Sequence, residues 1–553
     1  MEKYLTINGE LYSEMIRRGA GNLNVHVEEV NNLNVFPIPD GDTGDNMLMT
    51  MMGGTKSIDS SLTSLSKAAK KISSGMLLGA RGNSGVILSQ FFDGISSGFD
   101  GLESADIENV KKAFQEGVKH AYEAVMTPTE GTILTVAKDS TNAACNVQSD
   151  DILDFINAFL DEAVKSLERT PDLLPVLKKA GVVDSGGAGL LYIVRGMRQV
   201  LMGETEESHE ALPKDNSSAN PHDLDLDKFT EDSELEFGYC TEMLLRLQNK
   251  KCDAKNFDIQ VIKDFLNTIG NSVVIFKTGT IVKMHVHTMT PDKVLAFCQN
   301  FGEFLTIKIE NMSLQHNNLD NDEIIQNEEI QEHKTNAIVA VANGDGIIQS
   351  FKDYGASYIV EGGQSMNPSS NDFIKAFDIV NADNIFVLPN NGNVILSAQQ
   401  AAGMYSKSKV HVIETKTIGD GYACLTMFDP DLDSAEEIIE NLNMAKEGVK
   451  TYLVSHCVRD AEMDGFTLHS GDYIGISGKQ ILSAAGNRKD AALKLIDSMD
   501  FTDHEACILI RGNDSMTVEF DEIVNKIKNE HPGVEVYTIE GGQDVYSYIY
   551  VLE

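Results

Sequence analysis

Hydrophobic periodicity changes twice along this chain, and each change falls at a polar, acidic stretch. Up to about residue 203 apolar residues recur at helical spacing. Leu11, Met15, Leu23, Val27 and Val30 mark one helix face within 8–33, and similar stripes lie near 62–78, 86–98, 108–125, 132–145, 151–168 and 188–202. Alternating strand patterns are scarce there, which predicts an all-α domain over 1–203. Residues 204–236, including an alternating Asp-Leu run from Asp223 to Asp227, hold no apolar period and read as an acidic linker. Strand-like runs at 239–247, 272–276 and 281–287, with helices near 258–269 and 291–301, predict a small α/β (α+β) middle domain over 237–314. A second polar linker, 315–334, leads to 335–553, where runs at 337–342, 357–360, 384–388, 410–413 and 506–510 alternate with helical stretches. That alternation predicts an α/β domain with a largely parallel sheet. At 553 residues the chain is too long for one core, so a multidomain protein is expected.

The chemistry concentrates at the end of the first helical stripe. Asp40, Asp42, Asp45, Thr43 and Asn46 fall within one short run, in a loop stiffened by Pro37 and Pro39. Hard cations such as Mg²⁺ prefer oxygen donors of this kind, and Gly41 lets two carboxylates turn toward one ion. Pro-Asp-Gly-Asp is also ordinary turn chemistry, and spacing alone leaves both readings open. Three Gly-rich turns follow, each opening an apolar run: Gly79 to Gly85, Glu130 to Thr132, and Val183 to Gly187. Glycine lets backbone N–H groups approach an anion, and a helix N-terminus adds favourable partial charge. None is followed by the Lys-Ser/Thr of a Walker A loop. Each alone reads equally as a helix cap.

Composition narrows the partners. The chain carries 84 acidic against 45 basic residues, a formal charge of −39, which argues against nucleic acid. If these turns held a phosphate-rich ligand, a protein this acidic would need a divalent cation to screen the phosphates. Seven scattered cysteines without a CxxC spacing point to a reducing compartment. No basic segment followed by an apolar run opens the sequence, and no stretch of about eighteen apolar residues occurs. A cytoplasmic protein without a transmembrane segment is expected.

In order, PDGDTGDN from Pro39, GARGNSGVILSQ from Gly79, PTEGTILTVAKD from Pro128 and GVVDSGGAGL from Gly181 resemble the nucleotide-binding subunit of dihydroxyacetone kinases. With HVHT at 285–288, GGQSMNPSS from Gly362 and LPNNGNVILSAQQAA from Leu388, the whole chain is similar to the catalytic subunits of bacterial fatty acid kinases, the FakA family. The resemblance implies an all-helical barrel that binds ATP and Mg²⁺, then a middle domain and a C-terminal DegV-like α/β domain that binds a partner. It implies phosphorylation of a fatty acid carboxylate presented by a separate fatty-acid-binding protein of the DegV/FakB type, giving acyl phosphate and ADP. A homodimer stays open. The competing classes are a dihydroxyacetone-type small-molecule kinase and a non-enzymatic nucleotide-binding regulator.

On this resemblance Asp40 and Asp42 are catalytic metal ligands, Asp45 a candidate third, and Arg81 a stabiliser of transition-state charge. Thr43, Gly44, Asn46, Ser84, Gly85, Gly131, Thr132, Asp184, Ser185 and Gly186 would hold the nucleotide. Two departures stand out. Val35 occupies the position where dihydroxyacetone kinases carry a further Asp, and Asp45 stands where fatty acid kinases usually carry an uncharged residue. His285 and His287 alternate on a predicted strand and would share one face, supplying half of a four-coordinate Zn²⁺ site. The resemblance implies Cys240 as the third ligand. Finally, the tetrapeptide Glu-Gly-Gly-Gln occurs at 361–364 and 540–543, each time after a strand-helix-strand pattern, which suggests a duplicated unit.

Overall fold

The computed structural model describes residues 3–35, 38, 41–58, 63–203, 239–255, 257–278, 280–311, 331–364 and 366–553. The chain forms two compact units, one of Met1–Pro213 with Ile330–Glu553 and one of Lys214–Glu329.

Among the described residues of the N-terminal region a two-residue pair, β1 (Ile7–Asn8) with β2 (Ser104–Ala105), is the one break in a helical architecture. The helices are α1 (Gly9–Val25), α2 (Val27–Asn31), α3 (Thr43–Lys56), α4 (Leu65–Gly79), α5 (Gly82–Gly98), α6 (Ile107–Glu123), α7 (Ile133–Cys145), α8 (Ile152–Leu173), α9 (Pro175–Ala180) and α10 (Ser185–Leu201). Packing runs from α10 to α1, α4, α5, α6, α7 and α8 and back to α10, so the helices close a ring. Their apolar stripes supply one continuous core that includes Ile16, Met51, Ile72, Phe92, Phe155 and Ile193. The sequence pattern leaves Thr43–Asn46 in a loop, but these residues are the first turn of α3. That helix packs on α1, α4, α5 and α10, and most of its circumference is buried. Its Gly53 faces Gly75 of α4 so closely that a Cβ on either would collide with the other's carbonyl. Close approach thus outweighs the helix-weakening cost of an internal glycine, about 1 kcal/mol.

The middle unit is an antiparallel sheet in the order β4-β5-β3-β6, built from β3 (Tyr239–Leu247), β4 (Gly270–Thr278), β5 (Ile281–Thr288) and β6 (Gly302–Asn311). Helices α11 (Gln260–Ile269) and α12 (Pro291–Cys298) accompany it. Met243, Leu245, Val282, Met284 and Val286 form its core with Ile262, Leu266 and Val294.

The C-terminal domain differs from the largely parallel sheet that the strand pattern suggests, for its described residues form a four-stranded sheet, a six-stranded sheet and a separate two-stranded pair. The first is parallel, in the order β10-β9-β7-β8, from β7 (Lys334–Ala342), β8 (Tyr358–Glu361), β9 (Ala382–Leu388) and β10 (Lys409–Val412). Alternate residues of β7 enter different cores: Ile338 and Ala340 one, Ala337 and Val339 the other. The strand is therefore covered on both faces. The remaining strands are β11 (Lys450–His456), β12 (Ala461–Met463), β13 (Phe466–Leu468), β14 (Tyr473–Ser477), β15 (Gln480–Ala485), β16 (Ala506–Arg511), β17 (Glu535–Glu540) and β18 (Tyr548–Leu552). The second sheet, β15-β14-β11-β18-β16-β17, is antiparallel except for β16 with β17. Only Gly478 and Lys479 join β14 to β15, with Gly478 at φ +58°, and so short a link permits an antiparallel hairpin alone. The repeated tetrapeptide is a structural repeat as well. β7–β8 and β16–β17 are both parallel pairs joined through a helix, and the Gly346 N–H of the first pair's connection donates to the Gly541 carbonyl beyond the second at 3.0 Å.

Candidate active site

Four helix N-termini meet at one end of the helical ring. Asp42 precedes α3 as its N-cap residue and Arg81 precedes α5; Thr132 precedes α7 and Asp184 precedes α10. Side chains tie these starts together. Ser185 Oγ donates to Thr43 Oγ1 at 3.2 Å, which joins α10 to α3. Gly85 of α5 lies against Thr50 and the Asn46 carbonyl of α3, and Gly186 of α10 against Ile133 of α7. Each start exposes backbone N–H groups that the helix itself cannot satisfy, and together they concentrate positive potential.

The loop leading into α3 is held by two asparagines that the motifs themselves do not include. The Asn31 side chain accepts from Gly44 N–H at 2.7 Å and donates to Asp45 Oδ2 at 2.7 Å. Asn34 Oδ1 accepts from Thr43 Oγ1 at 2.8 Å. Their cue in the sequence was the Asn31-Asn32-Leu33-Asn34 run just upstream. A Cβ at Gly44 would sit 2.6 Å from the Val27 carbonyl, so this residue must be glycine for α2 and α3 to approach. Thr43 and Asn46 are buried, whereas Asp45 is exposed on α3 and turned to Asn31.

Asp42 is partly buried, and its side chain does not cap α3. Its carboxylate accepts a hydrogen bond from the Asn367 amide of the C-terminal domain. Asp40 lies outside the described residues. Arg81, proposed above as a charge stabiliser, donates through Nη1 to the Asn367 carbonyl at 2.9 Å and pairs with Asp372 at 3.7 Å. Gly82 takes φ +58°, and a Cβ there would stand 2.6 Å from Asn46 Nδ2. Ser84 is half-buried at the mouth of α5 and Gly85 is buried. Gly131, at φ +85°, donates to Thr135 Oγ1 at 2.8 Å, and Thr132 Oγ1 donates to the Thr129 carbonyl at 2.8 Å. Asp184 accepts from Gly187 N–H at 2.8 Å. Burial pushes its carboxyl up to about 6, against the downward pull of the Gly187 and Ile133 N–H groups.

The donor set around Asp42 suits a hard cation. It offers a carboxylate, the Thr43 hydroxyl and the buried Asn367 Oδ1, which has no hydrogen-bond partner among the described residues. Among the described residues no group of three or more His, Cys, Asp or Glu converges on a point. In the middle unit, strand register sets Cys240 opposite His287, with His285 two residues along β5. These positions alternate with the buried Thr241, Val286 and Met284 and so share the other face of the sheet. Their side chains lie outside the described structure, and the geometry gives zinc no support.

Among the described residues no helix is long and apolar enough to cross a membrane. Residues 37–199 match the DAK2 domain family, which makes the helical domain that of a kinase. Residues 236–319 match the middle domain, and 337–553 the C-terminal domain, of FakA-like fatty acid kinase proteins. Protein YloV of Bacillus subtilis is 40% identical over 550 residues, covering 98% of this chain and 99% of that protein. An uncharacterized Staphylococcus haemolyticus protein is 39% identical over 560 residues, covering 99% of each. The chain belongs to the FakA-like family of fatty acid kinase proteins. Solved structures resemble it in part. A fatty-acid-binding DegV family protein from Thermus thermophilus covers 40% of this chain and 99% of its own (TM-score 0.31, 12% identity). The linoleic acid-loaded Fak B3 protein of Streptococcus pneumoniae covers 39% and 98% (TM-score 0.28, 14% identity). Dihydroxyacetone kinase from C. freundii with AMP-PNP and Mg²⁺ covers 36% and 35% (TM-score 0.27, 18% identity).

Proposed function

We propose that this protein transfers the γ-phosphoryl group of ATP to the carboxylate of a fatty acid held by a separate DegV-type fatty-acid-binding protein. The observation that carries the reading is the convergence of four helix N-termini around Asp42, on a chain of this family. The opening turns of α3 and α5, with the hydroxyls of Thr43 and Ser84, receive the phosphates. Ser185 and Gly186 of α10, and Gly131 and Thr132 before α7, line the nucleotide further out. Asp42, with Asp40, holds Mg²⁺, which when bound neutralises the charge that spreads over the phosphoryl oxygens. A carboxylate oxygen forms the new bond to the γ-phosphorus as the bond to the β-phosphate bridging oxygen breaks, giving acyl phosphate and ADP. The nucleophile is already an anion, so no proton has to be removed. Cytoplasmic placement and lipid synthesis as the destination of acyl phosphate belong to this reading; zinc has no part in it.

The test offers the purified protein ATP and Mg²⁺ with either a fatty-acid-loaded carrier or dihydroxyacetone. Hydroxylamine traps an acyl phosphate as a hydroxamate. Hydroxamate with the loaded carrier is the expected result. Phosphorylation of dihydroxyacetone without hydroxamate would replace the reading with a small-molecule kinase, and no Mg²⁺-dependent ATP binding would replace it with a regulator.

A further inference from the structure

The loop that carries Asp42 belongs to the kinase domain by sequence but is gripped on both sides by the C-terminal domain. On one side lies the segment from Gly362 to Ser370. Asn367 is 2% exposed and donates through Nδ2 to the Asp42 carboxylate. Its backbone carbonyl accepts from Arg81, and Ser370 N–H donates to the Ala80 carbonyl at 3.2 Å. Gly82, at φ +58°, sits beneath this contact: a Cβ there would stand 2.6 Å from Asn46 Nδ2 and in ordinary contact, 3.4 Å, with Asn367 Nδ2. On the other side Ile38, 4% exposed, inserts among Cys457, Leu468, Ile474, Ile476 and Ile481. The Arg459 guanidinium donates to the Val35 carbonyl at 2.6 Å and to that of Asn32 at 3.2 Å. Ile38 thus has its apolar environment in another domain, four residues before Asp42.

These contacts have a chemical consequence. A carboxylate meant for a cation must be held in one orientation before the cation arrives, and a fixed N–H donor does so without taking all of its lone pairs. Asn367 meets that requirement. It is buried, its backbone is fixed through Arg81, and its buried Oδ1 has no partner among the described residues. An amide whose only task was to glue two domains together would be expected to satisfy both ends.

We propose that the C-terminal domain is a working part of the metal loop, with Asn367 as the residue that positions Asp42 and with Ile38 and Arg459 anchoring the loop behind it. The inference rests on the reading of Asp42 as a cation ligand. It assigns the C-terminal domain a task inside the nucleotide site in addition to any role in receiving a partner.

The test uses the full chain and Mn²⁺ alone, followed by electron paramagnetic resonance, so that the readout is binding and not turnover. Asn367→Ala and Asn367→Leu, the second conserving volume in the seam, should each weaken Mn²⁺ binding about 10- to 100-fold, the range for loss of a group that orients a metal ligand. Gln400→Ala is the control. Gln400 donates to the Leu77 carbonyl at 2.7 Å across the same seam, away from Asp42, and its loss should leave Mn²⁺ affinity within about twofold. Unchanged affinity in both Asn367 variants, or equal weakening in Gln400→Ala, overturns the inference. Asp42→Ala separates the two failures. If it retains full Mn²⁺ binding, the metal reading itself falls; if it loses binding while the Asn367 variants keep theirs, only the positioning role falls.

Discussion

Replacing Asp184 by Asn should make the helical domain more stable at neutral pH, because this carboxylate is a good helix cap in an unfavourable place. Its carboxyl rises from an ordinary 3.8 to about 6 on folding, with burial as the cause. Below about pH 4 it is protonated in both folded and unfolded chains. Between about pH 4 and 6 the folded chain keeps a proton that the unfolded chain has released. Above 6 the charge is present in both states, and the folded state bears its full desolvation. Stability through this group is therefore lost as pH rises toward 6. A rise of about 2 in pKa corresponds to about 3 kcal/mol, and partial exposure of the residue trims that to about 1–3 kcal/mol. Asparagine still offers an oxygen to the Gly187 N–H and caps as well as aspartate. It forfeits the attraction of a negative charge to the start of α10, about 0.5 kcal/mol. The expected net gain is about 1–2 kcal/mol at pH 8, falling to about half of that near pH 5 and toward zero below about pH 4. Urea unfolding followed by far-ultraviolet circular dichroism at pH 5, 6.5 and 8 measures it. A variant less stable than wild type at pH 8, or one with the same pH dependence, would refute the assignment of burial as the dominant influence.

Other substitutions test the site and the seam. Asp40→Ala and Asp42→Ala should each cut phosphoryl transfer by at least about a hundredfold while leaving the circular dichroism spectrum unchanged; near-normal turnover in both would remove the metal loop from the mechanism. Ile38→Ala should cost about 2 kcal/mol or more, the range for a buried isoleucine, and expose the loop to protease, whereas exposed Ile281→Ala should cost under about 0.5 kcal/mol. Equal costs in urea titrations would deny the insertion of Ile38 into the other domain. Gly53→Ala should destabilise the protein in a thermal melt, although alanine is the better helix former, because the Gly75 carbonyl blocks the new methyl group. Chelation with EDTA should abolish ATP-dependent protection of the chain from thermal unfolding, and added Mg²⁺ should restore it.

The helical ring was largely readable because its apolar residues repeat at 3.6-residue spacing, as in α6, where Ile107, Val110, Phe114 and Ala121 face the core. α3 was hidden by its own opening. Thr43-Gly44-Asp45-Asn46 reads as loop chemistry, and Gly53-Gly54 lowers helical propensity, since what fixes the helix is contact with α4 that no local window contains. The second C-terminal sheet was missed for a similar reason. A strand as short as the five-residue β14 carries little periodic signal, and the Gly478-Lys479 turn that sets strand direction is a two-residue cue.

The site divides along the same line. Motifs named the helix starts, because glycine at a cap and aspartate before a helix are local requirements of backbone geometry. They did not name the relation between those starts and the C-terminal domain. Asn367 and Asp42 are 325 residues apart in the chain, and Arg459 and Val35 are 424 apart. The stretch Gly362–Ser370 was visible as a family motif but had no assigned task, and the loop prolines around Ile38 suggested stiffness supplied from within. The contacts place the restraint outside: Ile38 and Asp42 lie on one loop, and what fixes each of them belongs to a domain that begins some three hundred residues later. A kinase domain cut free of residues 337–553 would keep every motif of its nucleotide site and lose the groups that hold its carboxylate in place.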